Sequence, residues 1–260
     1  MTGVSGSRRS RISIRLRPAP ACGIPAVGLR VPGIRPLALD SASQFRPDGP
    51  TPLASDEYTE DFQQVAAFGR ADSDVRRKPQ TTQALFWTDH DLRQWNDGLL
   101  ALAAKRRLGL MDSARMLALA HAAGGDAMIA CFDAKCFYWF WRPYQAVPRA
   151  GDDQNEHTTP DAAWQPLRTT PNFPEYPSAH ACHSAAVATA LESFFGSRRV
   201  PFSLDSRITH TIRRYGQVRD VVKDVEQARV LVGFHFLHSD REGAELGRQV
   251  ARFVAAHQFR

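Results

Sequence analysis

Seven prolines between residues 143 and 177 (Pro143, Pro148, Pro160, Pro166, Pro171, Pro174 and Pro177) fix the layout of this chain. Proline removes a backbone N–H and clashes with the preceding turn, so no helix or interior strand runs through such a stretch. The segment is predicted to be one long irregular connection, and connections of that length are functional or disordered. On both sides of it, apolar residues recur at helical spacing.

Phe62, Val65 and Phe68 predict a helix over 57–68. A second is expected from a Thr88 cap to about residue 107, with Leu92, Trp95, Leu99 and Leu100 on one side. A third should begin after Asp112 and run to Trp141, stopped by Pro143, with Gly124 and Gly125 marking close packing or a bend. Ser178 fits the N-cap of a helix closed by Gly196. Two more are expected over 218–237 and 241–256, the last opened by Ser239 with Glu242 as a capping box. There is no repeat and no convincing strand alternation. The expected class is all-α, a helical bundle with a long irregular loop before Ser178.

Residues 1–39 hold seven arginines and no acid; without them the chain has 26 basic and 27 acidic residues, a net of −1 against +6 for the whole. The positive charge therefore belongs to the N-terminal segment, and the remainder lacks the footprint of a nucleic-acid binder. Proline and serine enrichment marks residues 1–40 as a basic disordered tail and 41–260 as the folded domain. Pro18, Pro20, Pro25 and Pro32 interrupt any apolar signal core, so a soluble and more cytoplasmic than exported protein is expected. No run of 18 apolar residues exists to span a membrane. Cys22, Cys131, Cys136 and Cys182 follow no zinc spacing and predict no disulfide framework.

Three clusters carry chemistry. Lys135 and Arg142 are seven apart, nearly two helical turns, which places both cations on one face of a helix flanked by an aromatic run. Taken alone, the pair also fits an amphipathic helix whose cations reach water. Pro177-Ser178-Ala179-His180 brings a hydroxyl and an imidazole to a helix N-terminus, where free N–H groups favour an anion. An ordinary N-cap serine would read the same way. Arg229 and His235 lie six apart in an apolar stretch, a spacing that does not share a helix face, and a satisfied core histidine is the alternative. Together the clusters supply three cations, a hydroxyl, a helix N-terminus and two imidazoles, a set suited to a multiply charged oxyanion.

Lys135-x6-Arg142-Pro143, Pro177-Ser178-Ala179-His180 and Arg229-x5-His235 resemble the three-part signature of the vanadium-dependent haloperoxidases. That family shares a superfamily with type 2 phosphatidic acid phosphatases and bacterial acid phosphatases. Its pattern reads K-x6-RP, PSGH and SR-x5-H. Ser43-Gln44-Phe45-Arg46-Pro47 and Phe140-Trp141-Arg142-Pro143 are more similar to the soluble bacterial haloperoxidase-like proteins than to membrane lipid phosphatases. The resemblance implies that Lys135, Arg142 and Arg229 bind the equatorial oxygens of vanadate, with Ser178 and the Ala179 amide completing the cradle. It makes His235 the axial vanadium ligand and His180 the general acid and base, with Lys135 polarising bound peroxide. Vanadate is then the cofactor, and hydrogen peroxide, halide and an organic acceptor are the small-molecule substrates. No nucleic-acid or membrane-spanning partner is implied, and no oligomeric state.

The same residues would serve an acid phosphatase that forms a phosphohistidine on His235 and needs no cofactor, or an inactive oxyanion-binding protein. Phe173 stands five before the serine, where the family's chloroperoxidases have Phe and its bromoperoxidases His. This chain departs from the pattern at Ala179 (family Gly) and Ala228 (family Ser). It also has Ser239, with Asp240 one later, at the place four after the ligand histidine where an aspartate often orients the ring.

Overall fold

A computed structural model describes residues 26–258 of the chain. The helices are α1 (Asp56–Phe68), α2 (Lys78–Phe86), α3 (Asp91–Arg106), α4 (Leu110–Tyr138), α5 (Pro143–Ala146), α6 (Ala179–Phe195), α7 (Asp220–Leu231) and α8 (Leu237–His257). The all-α expectation holds, with one small addition. A two-stranded antiparallel hairpin, β1 (Phe202–Ser206) and β2 (Thr211–Tyr215), pairs Phe202 with Tyr215 and Ser206 with Thr211. Five residues per strand are too few to leave a firm alternation in the sequence.

The centre of the bundle is α6, packed between α4 and α8. Its sequence is alanine-rich and apolar on nearly every side, so neighbouring helices approach closely. On α8, Gly243 and Gly247 lie one turn apart against the carbonyl oxygens of Ser178 and Cys182, and a Cβ on either would overlap that oxygen. Gly124 of α4 makes room for the His183 ring, whose Cδ2 would lie 2.9 Å from an added Cβ. Gly124 therefore marks close packing, whereas a Cβ on Gly125 would meet nothing. The hairpin closes one end of this core, where Phe202 stacks on Trp95 with ring centroids 5.1 Å apart.

Several boundaries differ from expectation, and each difference moves a site residue. α4 stops at Tyr138, because Trp139 takes a left-handed conformation (φ 51°). Arg142 then has extended backbone at the N-cap of α5, so Lys135 and Arg142 do not share a helix face. α7 ends at Leu231, and Gly233 (φ 81°) turns the chain so that His235 lies in the short connection before α8. That turn resolves the awkward six-residue spacing from Arg229. Thr88 gives its hydroxyl to the Leu85 carbonyl and caps nothing, while α3 starts after His90. Ser239 lies inside α8 and forms no capping box, since the N-cap is Phe236.

Residues 26–40, assigned by composition to the tail, lie against α4: the amides of Leu37, Ala38 and Leu39 donate to the Asp126 carboxylate at 2.7–3.0 Å. The remainder of that expected tail, residues 1–25, lies outside the described residues. Among the described residues no helix is long and apolar enough to cross a membrane.

Candidate functional site

The proline-dense loop runs back over α4 and delivers its last residues to the base of α6. Its carbonyls hold Lys135, whose Nζ donates to Pro174 O at 2.9 Å and to Glu175 O at 2.8 Å. The Phe173 ring covers both cations of the first cluster, 5.1 Å from Lys135 Nζ and 4.7 Å from the Arg142 guanidinium. Arg142 in turn donates through Nε to Phe173 O and through Nη1 to Phe234 O, each at 2.9 Å. The loop is thus the part that locks two separated basic residues into one place.

His235 joins the third segment to the first two. Its Nε2 lies 2.9 Å from Arg142 Nη1 and its Nδ1 2.9 Å from Glu175 Oε1. Guanidinium only donates and carboxylate only accepts, so the proton sits on Nδ1 and Nε2 presents a lone pair. Glu175 also accepts from the Phe236 amide (3.1 Å) and from the Ser239 hydroxyl (2.6 Å). The aspartate missing four residues after His235 is therefore replaced by Glu175, with Ser239 holding the carboxylate. Sequence reasoning missed this residue; its signal was an acid inside an otherwise apolar proline run.

Arg229, in the last turn of α7, donates through Nη1 to the Trp87 carbonyl at 2.8 Å, and the Phe234 ring covers its guanidinium at 4.7 Å. Ser178 is the N-cap of α6 and Ala179 its first helical residue. Ala179 has a helical and not a left-handed backbone, so nothing here requires the family glycine. His180 follows on the first turn. Asp91, at the start of α3, was also unforeseen: its Oδ2 lies 3.2 Å from His183 Nδ1, and its charge reaches His180 and Arg229.

These side chains are deeply enclosed: Lys135 and Ser178 have 0% exposure, Arg229 and His235 1%, and Arg142 2%. Within the enclosure, Arg142 Nη2, Ser178 Oγ, His180 Nε2 and Arg229 Nε are buried without a well-formed hydrogen bond. A buried unsatisfied polar group costs about 1–3 kcal/mol, so four together signify a missing common partner. A tetrahedral oxyanion has the acceptor oxygens for all of them, and the residues present fit such a group.

The titration behaviour agrees. Burial pushes Arg142 down to about 10, with Glu175, Tyr144 and Asp240 opposing, and burial with a smaller push from the Arg142 charge lowers Lys135 and Arg229. Burial and the Arg229 charge push His180 down to about 3, against the pull of Asp91. Burial and the Arg142 charge hold His235 well below the usual imidazole range. Glu175 is raised by burial, with Arg142 and the Ser239 hydroxyl opposing. Asp240 is also raised by burial; it stands against Ser178 and Arg229 with both carboxyl oxygens lacking a well-formed hydrogen bond. Three buried cations, only partly offset by the Asp91, Glu175 and Asp240 carboxyl groups, are stabilised by a multiply charged anion.

No curated protein matches the chain. Among solved structures, the chain is similar to a bacterial vanadium-dependent iodoperoxidase at 24% identity, over 92% of this chain and 60% of that one, with a TM-score of 0.77. The holo form of a bacterial vanadium-dependent chloroperoxidase matches at 15% identity over 91% of this chain and 56% of that one, with a TM-score of 0.73. An apo form of such a chloroperoxidase gives 14%, 89%, 56% and 0.71. The chain thus spans at most 60% of the length of these proteins, and the likeness establishes the fold. The family described as VCPO second helical-bundle domain matches residues 115–260, which include all seven residues of the expected site. With more than half of its length matched, the chain belongs to that family, within the vanadium haloperoxidase superfamily.

Proposed function

We propose that the chain is a vanadate-dependent haloperoxidase, oxidising halide with hydrogen peroxide and passing the oxidised halogen to an organic acceptor. The observation that carries this reading is the set of four atoms without a well-formed hydrogen bond, on Arg142, Ser178, His180 and Arg229, buried in one charged enclosure with His235. Lys135, Arg142, Arg229, Ser178 and the Ala179 amide would hold vanadate, with His235 Nε2 as the vanadium ligand. Bound vanadate supplies Lewis-acid activation of hydrogen peroxide toward attack by halide.

The chain's own residues then have separable tasks. Glu175 keeps the His235 proton on Nδ1, so Nε2 carries the lone pair; Arg142 Nη1 donates to it in this structure, and a bound vanadate would take the place of that contact. Lys135 has two of its three N–H bonds committed to loop carbonyls, which aims the ammonium and leaves one donor for a reacting oxygen. Phe173 and Phe234 exclude water from the guanidinium faces. Burial depresses His180 most, and the Arg229 and Arg142 charges add to it; an incoming anion offsets those charges, so this imidazole gains basicity when the site is loaded. It then accepts or returns a proton at Nε2.

The second reading is an acid phosphatase, favoured by the same His235 geometry, since an oriented Nε2 lone pair is also a nucleophile for a phosphate ester. The purified chain, assayed with vanadate, peroxide, bromide and a phenol dye, separates the two. Bromination confined to the vanadate-loaded protein supports the peroxidase. Turnover of p-nitrophenyl phosphate, inhibited by vanadate and without bromination, supports the phosphatase. Neither activity leaves an oxyanion-binding protein without catalysis.

A further inference from the structure

Arg229 takes its orientation from a neutral group, the Trp87 carbonyl that accepts from its Nη1 at 2.8 Å, with the Phe234 ring against its guanidinium. Trp87 is the C-cap of α2, so this carbonyl is one of the helix-end oxygens that no amide of α2 satisfies. The direction of the Arg229 Nε, which carries no well-formed hydrogen bond of its own, therefore depends on what holds the end of a nine-residue helix.

One carboxylate holds it. Gln83 and Trp87, four apart and so on one side of the last turn of α2, both donate to Asp224: Gln83 Nε2 to Oδ1 at 2.8 Å and Trp87 Nε1 to Oδ2 at 2.9 Å. From the hairpin, Arg213 Nη2 reaches Oδ1 and the Tyr215 hydroxyl reaches Oδ2, each at 2.7 Å. Arg213 Nε also lies 2.7 Å from Oδ2, which makes its grip a two-pronged one. These donors fill the roughly four acceptor positions of a carboxylate, so Asp224 is fixed from three sides. Asp224 precedes Arg229 by five residues on α7, about 140° around the helix, and does not face the cradle. The end of α2 is thus bracketed by α7 at two points, its side chains by Asp224 and its carbonyl by Arg229.

We propose that Asp224 is a positioning residue for oxyanion binding, acting on Arg229 through the Trp87 indole and carbonyl. It touches neither the anion nor a reacting atom. Without its charge the fully buried Trp87 ring loses its anchor, the end of α2 shifts, and Arg229 Nε no longer converges with Arg142 Nη2 and Ser178 Oγ. The influence of Asp224 on the anion therefore runs through the Arg229 guanidinium, whereas an ion pair that only stabilised the fold would act without regard to Arg229. The inference rests on the oxyanion reading of the site and on neither of the two chemistries proposed for it.

Calorimetric titration of the full chain with inorganic phosphate tests this through a double-mutant cycle. Asp224→Asn should weaken phosphate binding about tenfold, as expected for loss of a group that orients a binding side chain. In the Arg229→Ala background the same substitution should change the affinity by less than about twofold, because the group through which it acts is gone. Trp87→Phe deletes the indole N–H while leaving the main-chain carbonyl and the Asp224–Arg213 pair in place, so it tests the same link should Asp224→Asn fail to fold. It should weaken binding in the same direction and show the same dependence on Arg229. Equal losses with and without Arg229 would make this contact a general prop of the fold and overturn the proposal, as would wild-type affinity in both single variants. A wild-type protein that binds no phosphate would overturn the oxyanion reading and this inference with it; binding by the wild type with no loss in the variants overturns this inference alone.

Discussion

His235 and Glu175 form a buried pair, Nδ1 to Oε1 at 2.9 Å, although sixty residues separate them in the chain. The pair joins the end of the proline-dense loop to the connection between α7 and α8. It makes the direction of the Nε2 lone pair a property of the fold.

Glu175→Gln should therefore weaken oxyanion binding. The amide can present its NH₂ to Nδ1, which moves the ring proton to Nε2 and removes the lone pair from the site. Orienting partners of this kind are worth about 10–100-fold in affinity. Calorimetric titration with phosphate checks this, and an unchanged Kd would show that Arg142 alone orients the ring.

His180 gives a pH dependence with a defined sign. Its folded-state value, about 3, lies below the ordinary 6.5, so the unfolded chain binds more protons between those limits. Its contribution is present above 6.5 and is lost as the pH falls toward 3. His180→Gln removes that loss. Urea unfolding of both proteins should give curves that diverge below pH 6.5 in favour of the variant; parallel curves from pH 7 to 4 would mean that His180 titrates alike in the folded and unfolded chain.

Much of this site was legible in the sequence because it depends on residue type and order. Lys135, Arg142, Ser178, His180, Arg229 and His235 were identifiable as a set, and the proline run marked the loop that assembles them. The misplaced helix ends share one cause. Helical periodicity does not reveal where a helix gives way to a single left-handed residue, so Trp139 and Gly233 went unread, and with them the true positions of Arg142 and His235. Glu175 and Asp91 were missed because their partners lie far off in sequence and neither belongs to a local pattern. The short polar α2 and the hairpin carry too little periodic signal, and Phe202 is fixed by Trp95 and Gly98, which are remote.

Ala179→Gly tests whether the departure from the family motif matters. Because Ala179 is an ordinary first helical residue, glycine adds backbone freedom and removes one buried methyl group. The expected result is a loss of up to roughly 1 kcal/mol in stability with phosphate affinity unchanged. Tighter binding in the variant would show that the alanine displaces its own amide.

Gly247→Ala should be far more damaging, since its Cβ would enter the space of the Cys182 carbonyl oxygen. Separating α6 from α8 costs about 1–3 kcal/mol or more, and it moves Ser178 relative to Arg229. Thermal unfolding should show a lowered Tm together with weakened phosphate binding. A Tm equal to that of the wild type would contradict the close crossing of these helices.

The central claim is that three chain segments converge on one oxyanion. Titration of the purified chain with orthovanadate tests it most directly. One equivalent should bind per chain, in competition with inorganic phosphate. Arg142→Ala and Arg229→Ala should each weaken binding roughly 10–100-fold, as expected for loss of a charged hydrogen-bonding partner. Absence of binding to the wild-type protein, or undiminished wild-type affinity in both variants, would contradict the account.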